Sequence, residues 1–225
     1  MKKITYSLIL AGGLLTASCG DYLDVVPKSD VETIESKFEQ RTDVYKWLKS
    51  CYVMFTDMSS GFLTQPSYVG ADEFVGGQFA RQQGLEPLYI GDGLQMASNP
   101  YGNIWKKDEA YCILRYCNIF LDNVYNCYNM DQDEKDLWYG EIEALKAAVY
   151  LELLKRYGPV ILMPKNIDVN SADADMQQPR NTVDECVNAI VELCDDAIKK
   201  LPNQKAKEQT RYAYFNKESA ATVKA

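Results

Sequence analysis

One long apolar helix constrains the fold of this chain more than any other stretch of the sequence. The run 136–163, DLWYGEIEALKAAVYLELLKRYGPVILM, places apolar residues at helical spacing. Its alanines are small enough to let neighbouring helices approach closely. One apolar face comprises Ile142, Leu145, Val149, Leu153 and Tyr157, and Ala144, Ala147, Ala148, Leu151 and Leu154 widen it. The helix therefore needs partners on two sides, which predicts the centre of an all-α domain.

The polar residues of this helix predict only a narrow strip that faces solvent. That strip comprises Glu141, Glu143, Lys146, Glu152, Lys155 and Arg156. The two basic residues of the last turn complement the negative end of the helix dipole. Gly158 can adopt the left-handed conformation that ends a helix, and Pro159 cannot continue one. We therefore expect the helix to stop sharply at this Gly-Pro pair.

Helical spacing places the central helix at about 134–157 and predicts other helices at about 43–58, 104–127 and 181–202. Thr182 and Glu185 have the spacing of a capping box. The short loop between the helices at 104–127 and 134–157 predicts antiparallel packing, and the pairing is similar to tetratricopeptide repeats. Helical spacing fails from 59 to 100, a glycine-rich stretch. Such long irregular loops are often functional in compact domains.

Composition excludes several classes of function. The chain has no histidine, so serine–histidine–aspartate and cysteine–histidine nucleophiles and HExxH zinc sites are absent from it. The net charge of −8 argues against a nucleic-acid partner, which requires a basic face. The cysteines lack the spacing of a structural zinc site, and the acidic run 129–134 lacks EF-hand spacing. We therefore expect no metal and no cofactor, and buried thiols rather than disulfides.

The N-terminus has the pattern of a bacterial lipoprotein signal. Lys2 and Lys3 precede an apolar run at 4–15 that is too short to span a bilayer. The following residues, Thr16 to Cys19, resemble a lipobox, although threonine stands where leucine is usual. An ordinary secretory signal with a chance cysteine is the alternative. We expect lipidation at Cys19 after removal of residues 1–18, then a tether at 19–30 and a helical domain at 31–225.

Several strings resemble the SusD/RagB family of outer-membrane nutrient-binding lipoproteins. ALKAAVYLELLKRYGPVILM resembles the family signature at the end of the central helix, and CGDYLDVVPKS resembles the mature N-terminus. LRYCNIFLDNV and PRNTVDECVNAIVELCDDAIKKLP resemble two further motifs. The string FNKESAATVKA resembles another motif, which implies one more helix over 216–225. The resemblance implies the N-terminal part of a SusD-like fold, apparently truncated. It also implies a surface-exposed lipoprotein that binds a glycan or another nutrient without chemistry and delivers it to a SusC-like TonB-dependent transporter.

The resemblance also implies structural roles for a set of motif residues, namely Asp72, Glu73, Asn118, Gly158 and Pro159. Candidate ligand residues follow from chemistry, because aromatic faces stack on sugar rings while arginine and asparagine bond hydroxyl groups. These candidates are Arg81, Tyr89, Tyr101, Asn103 and Trp105. Trp105 could equally cap the core. The main alternative function is a membrane-tethered helical-repeat adaptor without a small ligand, and a glycoside hydrolase is a third hypothesis.

Overall fold

The computed structural model describes residues 33–53, 77–82, 86–96, 98, 105, 110–167, 177–204, 211 and 213–225. The predicted signal, the tether and the residues Cys19, Asp72, Glu73, Tyr101 and Asn103 lie outside these ranges. The chain divides into two units, Met1–Lys37 and Phe38–Ala225. In the first unit the described residues form the short helix α1, Ile34–Lys37, which begins with reciprocal bonds between Thr33 and Ser36.

The regular elements of the second unit, within its described residues, are helices, which confirms the all-α class. Its elements in chain order are α2 Arg41–Cys51, α3 Gln78–Gln82, α4 Glu86–Gly91, α5 Ala110–Asn123, a 3-10 turn Val124–Asn126, α6 Gln132–Tyr157, α7 Val183–Lys200 and α8 Lys217–Lys224. The predicted capping box of α7 forms between Thr182 and Glu185. A second one, between Asn216 and Ser219, begins α8. In both, reciprocal side-chain bonds satisfy backbone N–H groups that have no helical acceptor.

The observed helix bounds differ from the predicted ones in several places. Helix α5 ends at Asn123, and the predicted continuation to 127 is the 3-10 turn Val124–Asn126. Helix α2 begins at Arg41 rather than near Asp43, and it ends at Cys51. The stretch 59–100 was expected to lack regular structure, yet it contains α3 and α4 within its described residues. Each is at most six residues long, which is too short to display helical periodicity in the sequence.

Helix α6 is the packing centre that its sequence predicts. It packs against α2, α5, α7 and α8. Residues 140–150 are all buried, so the middle of the helix contacts protein on every side. The core around it combines its own apolar face with residues of α2, α5 and α7, among them Leu48, Leu114, Phe120, Ile142, Leu145, Val149, Leu153, Ile190 and Cys194.

Gly140 marks the closest approach between α6 and α7. A Cβ atom built on it would lie 2.9 Å from Lys200 Cβ, 3.4 Å from the Ala197 carbonyl oxygen and 3.4 Å from Leu201 Cγ. Ala144 and Ala197 continue this contact as a small buried cluster with Leu201 and Ala220. The expectation that small residues permit close helix approach therefore holds at this interface.

The predicted solvent strip of α6 is wrong for three of its six members. Glu141, Glu143 and Lys146 are buried, with residue exposures of 0, 6 and 4%. Each has a polar partner from another part of the chain. Glu141 pairs with Arg211, Glu143 Oε2 accepts from Lys200 Nζ at 2.8 Å, and Lys146 Nζ donates to Asn118 Oδ1 at 2.6 Å. Buried charges persist where such partners exist, and spacing along one helix cannot reveal them.

Trp138 connects two of the ion pairs along α6. Glu134, Trp138 and Glu141 follow helical spacing, so they share one face of the helix. Arg41 forms a bidentate pair with Glu134 and lies 5.3 Å from the centre of the Trp138 ring. Arg211 pairs with Glu141 and lies 5.4 Å from the same ring. The indole therefore receives a guanidinium group from each of two segments that flank α6.

The described cysteines are free thiols, as their spacing predicts. Cys51, Cys117, Cys127, Cys186 and Cys194 are buried, and Cys112 is half-buried. They fill core space as small apolar side chains. Among the described helices, none combines the length and the apolar character that a bilayer span requires.

Gly140→Ala is expected to destabilise the protein by about 1 kcal/mol. Overpacking costs about 1–3 kcal/mol, and this exceeds the gain of about 1 kcal/mol in helix propensity. The obstructing atoms are a Cβ and a backbone oxygen, which move only with their helix. Chemical denaturation measures the change. Gly77→Ala is the control, because a Cβ there meets no atom within 4 Å. If Gly140→Ala were as stable as the wild type or more stable, the result would contradict the close approach of α6 and α7.

Arg211→Met is expected to destabilise the protein by about 3–5 kcal/mol, because it removes the guanidinium group that pairs with the buried Glu141 carboxylate. Arg41→Met is the matched control. It approaches the same indole ring at nearly the same distance, but the Arg41 side chain is 48% exposed against 12% for Arg211. Arg41→Met should lower the free energy of unfolding by about 1 kcal/mol or less, apart from the loss of its contact with the ring. Urea denaturation measures both changes. Equal losses of stability in the two variants would show that burial of the Arg211–Glu141 pair does not cause the larger effect.

Candidate functional site

The end of α6 turns the chain sharply. Lys155 and Arg156 lie in the last turn, as predicted, and both pair with Glu152. Gly158 has φ 69° and ψ −146°, and its N–H donates to the Leu154 carbonyl at 3.0 Å. This is a positive-φ conformation open essentially to glycine alone, but it is not the left-handed helical one that the sequence predicts. The chain then runs extended to Pro164.

Side chains from three segments hold this extended run. The Tyr111 hydroxyl, from α5, donates to the Ile161 carbonyl at 3.1 Å and accepts from its N–H at 3.2 Å. Asn181, just before α7, donates its N–H to the Val160 carbonyl and accepts from the Leu162 N–H, both at 2.9 Å. The Tyr150 hydroxyl accepts from the Met163 N–H at 2.7 Å. These bonds replace the backbone ladder that a sheet would supply.

Burial affects the protonation of the two tyrosine hydroxyls that hold the extended run. It raises the pKa of both Tyr111 and Tyr150, so each phenol stays protonated. A protonated hydroxyl can both donate and accept, which is what Tyr111 does with Ile161.

Trp105 lies against the end of α6. Its ring centre is 5.1 Å from that of Tyr111 and 5.5 Å from that of Tyr157, both in edge-on geometry. The guanidinium carbon of Arg180 lies 4.8 Å from the centre of the same ring. Trp105 is half-buried, so it contributes to the core and also reaches the surface. One ring face is therefore in contact with Arg180.

Arg180 is a site residue that the sequence analysis did not select. Its Nη1 donates to the carbonyl oxygens of Tyr157 at 3.2 Å and Pro159 at 3.4 Å. These carbonyls are at the C-terminal end of α6, where a cation is favoured by the helix dipole. The signal was present, because Arg180 belongs to the string PRNT that carries part of the family resemblance.

Arg81 and Tyr89 lie on the two short helices α3 and α4. Arg81 forms an ion pair with Asp92, which follows α4, so the two helices are linked. Tyr89 is 41% exposed and Phe79 is 74% exposed. This short helical pair therefore presents aromatic surface to solvent. The contacts of Trp105 are with Tyr111, Tyr157 and Arg180 instead. Two candidates thus lie on the linked helices α3 and α4, and the third belongs to another group of residues.

Asn118 holds the far end of the extended run. It is buried, and its amide donates to the Met163 carbonyl at 3.1 Å and to Asn166 Oδ1 at 3.3 Å. Its oxygen accepts from the buried Lys146, which also donates to the Pro164 carbonyl at 3.3 Å. Burial lowers the pKa of the Lys146 amine, because the charged form loses hydration. These bonds join α5, α6 and residues 163–166.

The site offers groups for binding. In the described ranges, no three histidine, cysteine or acidic side chains are grouped so as to hold a metal ion. What the two surfaces present is aromatic rings and guanidinium groups. Groups of these two kinds can interact with a polar ring compound by stacking and hydrogen bonding.

Comparison with known proteins identifies the family. The SusD-like family model, described as starch-binding and associating with the outer membrane, matches residues 21–225. The chain belongs to the SusD-like family. A comparison with curated protein sequences finds no significant match.

Solved SusD-like structures share the fold. A SusD-like protein from Bacteroides fragilis has TM-score 0.68 and 24% identity, over 84% of this chain and 35% of that one. A laminarin-binding SusD-like protein has TM-score 0.65 and 17% identity, over 83% and 39%. Surface glycan-binding protein A from Bacteroides uniformis has TM-score 0.63 and 17% identity, over 81% and 40%. This chain therefore spans well under half the length of these three relatives.

The stability contribution of Lys146 is expected to increase with pH. Its folded pKa lies below the ordinary 10.5, so the unfolded chain binds more protons between the two values. Across that window the wild type should gain stability relative to Lys146→Met, with a slope of at most about 1.4 kcal/mol per pH unit. Urea denaturation at several alkaline pH values measures the difference.

Lys199→Met is the control for this slope. The pKa of Lys199 is raised by its hydrogen bond to Asp196, so its contribution is lost rather than gained as pH rises through that value. The stability difference between wild type and Lys146→Met should therefore change with pH in the opposite direction to the difference for Lys199→Met. No change with pH, or a change of the same sign, would contradict a desolvated Lys146 amine.

Proposed function

We propose that this SusD-like chain is part of an outer-membrane lipoprotein that binds a glycan or a related nutrient and passes it to a TonB-dependent transporter. The observation that carries the proposal is the family match across residues 21–225, since the family is described by starch binding and outer-membrane association. Two similar structures are named for laminarin binding and surface glycan binding. The proposal involves binding and transfer of the ligand without bond cleavage.

The lipid anchor is part of this proposal. It is supported by the basic, apolar and small-residue pattern that ends at Cys19. Several acyl chains on one cysteine give stable membrane attachment, whereas one chain alone gives marginal binding. An anchored protein stays at the membrane where a transporter partner would lie.

Ligand contact is proposed on two surfaces. Tyr89 and Arg81 would act from the α3–α4 pair, which exposes aromatic surface. Trp105 would act from the end of α6. Tyr101 and Asn103 are neighbours of Trp105 in sequence and remain candidates with it. Stacking of a sugar ring on an aromatic face and hydrogen bonds to its hydroxyls are the interactions that these residues supply.

A pull-down of the tagged protein from mildly solubilised outer membrane tests the transport role. A large TonB-dependent barrel protein should be recovered with the wild type. Cys19→Ala is the control, and it should be found in the soluble fraction without the barrel, because no acyl chain can be attached. Recovery of soluble helical proteins in place of a barrel would favour the adaptor hypothesis. A Cys19→Ala protein that still sediments with the membrane would contradict the anchor.

Tyr89→Ala is expected to weaken glycan binding about fivefold or more, since loss of an aromatic contact costs about 1 kcal/mol or more. Calorimetric titration with laminarin and starch oligosaccharides measures the change. Tyr125→Ala is a matched control, because Tyr125 is 42% exposed but lies beside α6, bonded to Asp136. Equal effects of the two substitutions would remove Tyr89 from the site.

A further inference from the structure

The guanidinium group of Arg180 is fixed in position at the surface. Both of its hydrogen bonds to described residues leave from Nη1, toward the carbonyls of Tyr157 and Pro159. Its guanidinium carbon lies over the Trp105 ring, 4.8 Å from the ring centre. The residue is nevertheless exposed. Because the Arg180 side chain is already ordered, binding of a ligand would cost little additional side-chain entropy.

One edge of the same group is left for a ligand. Within the described part of the chain, the Nε and Nη2 atoms of Arg180 make no hydrogen bond. That edge carries two parallel N–H donors, which match the two oxygens of a carboxylate. Glu185, five residues further on, does not occupy it. Its carboxylate instead accepts from the Thr182 N–H at 2.7 Å and the Asn181 amide at 3.3 Å.

We propose that Arg180 is an anion-recognition residue and that the ligand is a glycan bearing carboxylate groups, such as a polymer that contains uronic acid. The Nε–Nη2 edge binds the carboxylate in bidentate fashion, next to the Trp105 ring. This inference rests on the proposed glycan-binding function and specifies the class of ligand.

The net charge of the chain limits where an acidic glycan can bind. The net charge is −8, so the protein as a whole repels an acidic polymer. Binding of such a polymer therefore requires a local cation with favourable geometry. A lysine has the same charge but cannot form the parallel pair of bonds.

The test is calorimetric titration of the full chain with two sets of glycans. The acidic set contains oligogalacturonate, alginate oligosaccharides and sialyllactose, and the neutral set contains methyl-esterified oligogalacturonate, laminarin and starch oligosaccharides. We expect at least one acidic glycan to bind, with its affinity reduced about 10-fold to 100-fold in Arg180→Gln. Arg180→Lys should be intermediate, because it keeps the charge and loses the fork.

Arg156→Gln is the charge-matched control. It removes one cation from the last turn of the same helix end, where Arg156 pairs with Glu152 at 3.5 Å. It should leave acidic-glycan affinity within about threefold of wild type, as expected for a surface pair. Thermal unfolding of each variant separates loss of the ligand contact from loss of the helix cap. A reduced affinity in Arg180→Lys at unchanged melting temperature supports the ligand role.

The remaining outcomes separate this inference from the proposed function. Binding of neutral glycans alone, with Arg180→Gln unaffected, overturns the carboxylate inference and leaves the glycan-binding proposal intact. Acidic glycans that bind Arg180→Gln as well as wild type also overturn it. Binding of dextran sulfate without any carboxylated glycan overturns the assignment to carboxylate. Failure of the whole panel to bind overturns both proposals.

Discussion

The burial of α6 is the constraint on which the rest of this structure depends. A helix enclosed along residues 140–150 must place the charged side chains of that stretch against partners, because an unpaired buried charge is far too costly. Glu141, Glu143 and Lys146 are the groups concerned. Their partners come from sequence positions as distant as Asn118 and Arg211. Pairing the buried charges of this one helix therefore fixes where α5, α7 and the segment before α8 must lie.

The same helix also determines the geometry of the candidate site. Its end is set by Gly158, whose positive φ turns the chain away from the helix axis. The carbonyls exposed by that ending attract Arg180, which in turn covers the ring of Trp105. The extended residues that follow are held by Tyr111 and Asn181. A binding surface at this helix end would have side chains that are already positioned by these contacts, and this would lower the entropic cost of binding.

Much of the fold could be predicted from the sequence. Periodicity located α2, α5, α6 and α7, since each buries a stripe long enough to repeat, and a family motif indicated α8. It missed α3 and α4, which are too short to repeat. The site was predicted less well. Trp105 and Tyr89 were selected for their chemistry, but their separate surroundings and the role of Arg180 depend on residues distant in sequence.

The sequence by itself determined the helical class, the central position of α6, the capping box of α7 and, through its motifs, the family. These are local or periodic properties, encoded within a few turns of chain. Only the tertiary structure decided that the charges of α6 face inward, that Gly140 admits α7, and that Arg180 covers Trp105. The physical reason is that desolvation and packing depend on what lies opposite a side chain, and neighbours along the chain do not specify that.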